Sequence, residues 1–153
     1  MCRSGNIQPE LSMALKEAHA DYEKVRRWVI MKALLIDVAN IKVEVVEIGE
    51  SPSEWNELLH CCYVHITSRM IGDMHKRYNI IYDDGALLKE NYPSALDDSY
   101  SICMEGNLLI TSRDNDGELT DLSEEDIRYL NNYIVHICEE ESGRIWKAIW
   151  GMH

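Results

Sequence analysis

The residues from Cys62 to Ile71 (CYVHITSRMI) alternate between two faces. Val64, Ile66 and Met70 fall on one side; Tyr63, His65, Thr67 and Arg69 fall on the other. A period of two belongs to a strand with one face on a core, so this chain must build a sheet. Its neighbours are consistent with that. Lys32 to Val38 (KALLIDV) and Ile41 to Ile48 (IKVEVVEI) predict two strands. Only Ala39 and Asn40 separate them, so they should pair as an antiparallel hairpin. Gly72-Asp73 turns the chain, and Tyr78 to Tyr82 (YNIIY) returns as a partner until Asp83-Asp84-Gly85 stops it. Asn107 to Thr111 (NLLIT) adds a strand, and Asn115-Asp116-Gly117 predicts a hairpin turn into Glu118–Thr120. The regular apolar face of the 62–71 run places that strand at the centre of the sheet, whereas 89–101 reads as loop.

Three segments carry helical periodicity. After Pro9, the residues Leu11, Leu15, Ala18, Tyr22, Val25 and Val29 recur at steps of four and three, which is one apolar stripe and also a coiled-coil seam. Ser51-Pro52-Ser53-Glu54 opens a short helix that runs to about Leu59. Ser123 with Asp126 caps a third, which carries Ile127, Leu130, Ile134, Ile137 and Cys138 on one face and extends to 138. The tail holds Ile145, Trp146, Ile149 and Trp150 at a spacing that suits further helical turns docked on the body. The expected fold is α+β: an antiparallel sheet of about five strands with an N-terminal amphipathic helix, a short middle helix and a C-terminal helix. Residues 1–30 form a leader and helix, 31–138 a single core domain and 139–153 a tail anchored by Trp; Met31 is a plausible second start.

Charge narrows the function. The 153 residues hold 27 Asp and Glu against 15 Lys and Arg, a net charge of −12. Residues 83–141 alone carry sixteen carboxylates against three cations. Nucleic acid and anionic lipid both need a basic footprint, so direct binding to either is disfavoured and a partner with a basic surface is favoured. The candidate partner-binding residues are Asp114, Asp116, Glu118, Asp121, Glu124 and Glu125. The five Cys include adjacent Cys61 and Cys62, which argues against a disulfide framework. Neither a signal segment nor a membrane-length apolar run is legible, and the cytoplasm is the expected compartment.

The runs LLIDV, VEVVEI, LLHCCYVHITSRMIG, YNIIYDDGALLKENYPSALD, GNLLIT and DGELTDLSEEDIRYL resemble a domain-of-unknown-function family, DUF thirty-eight forty-six, over about residues 31–135. That family's middle motif usually has an acidic pair, one further residue and then Gly; here Gly85 follows Asp84 directly. The resemblance implies a setting in phages, plasmids and integrated elements of Gram-positive bacteria. It implies no catalytic residue.

The remaining motifs assemble no reaction. His60-Cys61-Cys62-x-x-His65 offers soft ligands, but a structural zinc site needs two converging pairs and the second pair is missing. With Gly117 at the sixth position of a calcium loop, Ser112 and Ser123 would occupy its first and last positions, both without a carboxylate. Asp83-Asp84 and Asp97-Asp98 lack a His, Lys or metal partner in the pattern. No Gly-rich phosphate loop or nucleophile elbow occurs, so neither a cofactor nor enzymatic activity is expected.

Two functions then compete. The first is a non-catalytic accessory protein of a phage or mobile element, whose acidic surface binds a host protein and competes with nucleic acid for a defence factor. The second is a small-ligand or nucleotide-signal sponge. It would draw on Arg69, His75, Lys76 and Arg77 around one hairpin, with Arg113 on the next strand. In either case the stripe from Leu11 to Val29 predicts a homo-oligomer.

Overall fold

The computed structural model describes residues 30–86 and 91–153. Ten strands and two short helices make up the described chain: β1 (Met31–Asp37), β2 (Lys42–Ile48), α1 (Pro52–Leu59), β3 (Val64–Ile71), β4 (Lys76–Asp83), β5 (Pro93–Leu96), β6 (Ile102–Glu105), β7 (Leu108–Arg113), β8 (Leu119–Thr120), α2 (Glu124–Asn131), β9 (Ile134–Cys138) and β10 (Ile145–Trp150). They form two sheets. The larger runs β2-β1-β7-β4-β3, with β8 added on β7, and all its pairs are antiparallel. The smaller runs β6-β5-β10-β9, with β5 and β10 parallel.

The expected α+β layout with one sheet and a C-terminal helix is therefore overturned: the described chain is mostly β, in two sheets. Both strands of the β9–β10 hairpin come from residues read as helix. Ile134, Val135 and Ile137 are β-branched and lose rotamer freedom in a helix, while a pleated surface accommodates them. Spacings of three and four cannot distinguish the two states over so short a run. Asn132 and Tyr133 close the last helical turn onto Tyr129 and Leu130, and the chain leaves as a strand. The run read as loop contains β5, where Pro93 occupies the first strand position and so sacrifices no interior ladder bond. The amphipathic stripe of Leu11, Leu15, Ala18, Tyr22, Val25 and Val29 lies outside the described residues.

The larger sheet is covered on both faces at its middle. One face meets the smaller sheet and α2 through Leu34, Ile36, Ile80, Leu108, Ile110, Leu130, Trp146 and Ile149. The other receives Trp55 and Leu59 of α1 against Ala33, Leu35, Ile81 and Leu109. The central strand is β7, whose Leu108, Leu109 and Ile110 are all buried. The 62–71 strand, expected at the centre, is the edge strand β3, with Ile66 44% exposed. Strict alternation signals burial on one face, whereas a continuous apolar run signals burial on both.

The C-terminus staples the sheets together. His153 N–H donates to Met70 at 2.8 Å, Gly72 N–H to Gly151 at 3.0 Å and Met152 N–H to Leu96 at 3.0 Å. Trp146 is buried, and its indole N–H donates to the Pro93 carbonyl at 2.8 Å. The tail thus docks on the body, as a strand and not as a helix.

Candidate functional site

The acidic surface begins at the turn between β7 and β8. Asp114 Oδ1 accepts from the backbone N–H groups of Asp116 and Glu118, both at 2.9 Å, and Gly117 supplies a φ of 84°. The geometry is a hairpin turn, which leaves the Asp116 and Glu118 side chains outward. Asp121 follows, its carboxylate accepting from the Lys32 N–H at the start of β1. Glu124 and Glu125 then open α2. Ser123 Oγ caps that helix by accepting from Asp126 N–H at 3.0 Å and donates back to Asp126 Oδ2 at 3.0 Å. Asp114, Asp116, Glu118, Asp121, Glu124 and Glu125 are all exposed, and none is in an ion pair among the described residues.

Asp126 differs from its two neighbours. It faces the sheet, where it accepts from the Tyr78 hydroxyl at 2.9 Å and from Lys76 Nζ at 3.4 Å. Burial by itself would raise its carboxyl, but the bonds from Tyr78 and Ser123 and the charge of Lys76 outweigh it and hold Asp126 below the ordinary carboxylate range. The same burial, with Asp126 beside it, pushes the Tyr78 phenol well up. Tyr129 and Tyr133 extend the clamp. Tyr129 donates to the Ile71 carbonyl at 2.6 Å and accepts from Met74 N–H at 3.2 Å, while Tyr133 accepts from Asp73 N–H at 2.9 Å. Gly72 passes directly beneath: a Cβ there would lie 2.5 Å from the Tyr129 hydroxyl and from the Tyr133 ring.

The four residues expected to gather a ligand are not brought together. Arg69 faces the smaller sheet, near Cys103 and Glu105, around a cavity of about 220 Å³. His75 sits in the β3–β4 turn with its ring 5.7 Å from that of His153. Lys76 is tied to Asp126. Arg77 lies on the opposite face of the larger sheet, and there it meets Arg113: both donate to Ser68 Oγ, Arg77 at 2.9 Å. The sequence named Arg77 and Arg113 as candidates but missed Ser68 between them, because the three residues sit on three strands whose order and register the sequence does not state.

The motifs weighed for metal are likewise dispersed. His60 caps α1 in the left-handed region, the Cys61 thiol lies 3.8 Å from Asn56 Oδ1, Cys62 is exposed and His65 faces Asp84 at 3.4 Å. Among the described residues no three or more His, Cys, Asp or Glu converge. Nor is any described helix long and apolar enough to cross a membrane.

A second buried polar junction orders the opposite end of the sheet. Asn107 accepts from Val38 N–H at 3.0 Å, and its amide donates to Asp37 Oδ1 at 3.1 Å and to the Leu58 carbonyl at 3.3 Å. Burial acts to raise Asp37, yet the donors of Asn40 and Asn107, with Lys42, hold it low. An open apolar groove of about 860 Å³ runs beside the smaller sheet, between Tyr92, Leu96, Ile102, Val135, Ile137 and Trp146.

No protein-family model, curated protein or solved structure matches the chain.

Proposed function

We propose that this chain is a non-catalytic binding protein that engages a basic partner through the carboxylates of the β7–β8 turn and the first turn of α2. One observation carries the reading. Six exposed carboxylates, Asp114, Asp116, Glu118, Asp121, Glu124 and Glu125, are in no ion pair among the described residues, whereas Asp126 between them and the sheet is fully committed to structure. Unpaired like charges repel one another, and a cationic surface relieves that repulsion. The scaffold holds the presenting elements rigidly, since the turn is closed by Asp114 and α2 is clamped by Tyr78, Tyr129 and Tyr133.

The setting follows from the resemblance described above. The protein would act as an accessory factor of a phage or mobile element in the cytoplasm of its bacterial host. Its partner would be a host protein with a basic surface, such as a nucleic-acid-binding defence factor. Carboxylates at fixed positions would then compete with nucleic-acid phosphates for the same cations. The test is a displacement assay. A nucleic-acid-binding host protein captured by the full chain should be released by added DNA and by salt. Capture that ignores both would reject the reading.

A further inference from the structure

We infer that the face of the larger sheet turned away from the smaller sheet carries an anion site, built from Arg77, Arg113 and Ser68, that takes a phosphomonoester dianion. The inference does not depend on the acidic surface.

The β-register brings the three residues together. Asn79 pairs with Ser68 on β3 and with Thr111 on β7. Arg77 and Arg113 each lie two residues beyond that last β4–β7 pair, on the face that carries Ser68. Arg77 Nη1 donates to Ser68 Oγ at 2.9 Å, and Arg113 Nη1 donates to the same oxygen. Like charges brought close on neighbouring strands oppose folding unless something compensates them. This chain has 27 carboxylates available, yet neither guanidinium has an acidic partner among the described residues. The acid nearest in sequence, Asp114, directs a carboxylate oxygen into its own turn.

The donor count matches a tetrahedral oxyanion. A hydroxyl oxygen has two lone pairs, and the two arginines occupy both. The Ser68 hydrogen is then left to donate outward, and each guanidinium keeps further N–H groups that no described residue accepts. Two planar forks approaching from adjacent strands, with a hydroxyl between them, suit the three terminal oxygens of a phosphomonoester. A carboxylate is planar and one fork satisfies it. Gly117 keeps the site open: a Cβ there would lie 2.7 Å from Arg113 Nη2 and displace the guanidinium.

Isothermal titration of the full chain with inorganic phosphate, adenosine 5′-monophosphate, adenosine and acetate tests the site. Phosphate and the monophosphate should bind saturably at one site per chain, with adenosine and acetate silent. Arg77→Gln with Arg113→Gln should weaken both by at least about tenfold, as loss of charge-assisted bonds requires. Arg77→Lys with Arg113→Lys should fall between, since charge is kept and the fork is lost. An unchanged melting transition in each variant shows that the sheet persists. Phosphate binding that survives the double Gln change, or that is absent from the wild-type chain, overturns the inference. Adenosine binding as tightly as its monophosphate would also overturn it, because the base would then be the recognised group.

Discussion

The Tyr78 hydroxyl donates a 2.9 Å hydrogen bond to Asp126 Oδ1, joining β4 to the first turn of α2. The bond divides the carboxylates of that turn into two classes. Asp126 holds the helix on the sheet, while Glu124 and Glu125 face solvent.

That division predicts separate mutational effects. Asp126→Asn and Tyr78→Phe each break a partly buried charge-assisted bond and should cost about 1–3 kcal/mol. Glu124→Gln with Glu125→Gln removes favourable dipole interactions while relieving like-charge repulsion, and should change stability by under about 1 kcal/mol per residue. Urea unfolding of the three variants measures both.

Stability should also depend on pH in a definite direction. Asp37 and Asp126 have lowered carboxyl values in the folded chain, so the folded state binds their protons less readily than the unfolded state does. Their contribution is complete above the unfolded Asp value of about 3.9 and is lost as pH falls from there through the lowered folded values. Melting temperature should therefore fall in that window. Asp126→Asn should make the fall shallower, and an unaltered slope would show that Asp126 is not a source of it.

The sheet order predicts which apolar residue matters more. Leu109 is fully buried on central β7, and Leu109→Ala should cost about 2–5 kcal/mol. Ile66 is 44% exposed on edge β3, and Ile66→Ala should cost under about 1 kcal/mol. Equal costs would contradict the strand order.

These contrasts show where the fold was legible. The hairpin of β1 and β2, the helix at Pro52–Leu59 and the turn at Asn115-Asp116-Gly117 each depend on local chemistry, and each is where the sequence reading put it. Errors arose where tertiary contact decided. Ile134 and Ile137 fit a helical stripe as well as a strand, and only pairing with Ile149 and Trp146 selects the strand. The regularity of Val64, Ile66 and Met70 suggested a centre but reflects an edge. The six carboxylates were visible as charge alone, whereas the meeting of Arg77, Arg113 and Ser68 required the register of three strands.

The stripe from Leu11 to Val29 yields a separate expectation of self-association. Light scattering should give more than one chain per particle, and Leu15→Glu with Tyr22→Glu should reduce it to one. A wild-type monomer would assign the stripe to the chain's own core.

The most direct measurement compares capture by two forms of the full chain from a lysate of a Gram-positive bacterium, across a salt series. One form is wild type. The other carries Asn at 114, 116 and 121 and Gln at 118, 124 and 125. The acidic surface predicts that wild type retains a nucleic-acid-binding protein at low salt, releases it as salt rises, and loses it to competing DNA, while the neutralised form retains none. Retention of the same protein by both forms would contradict the assignment.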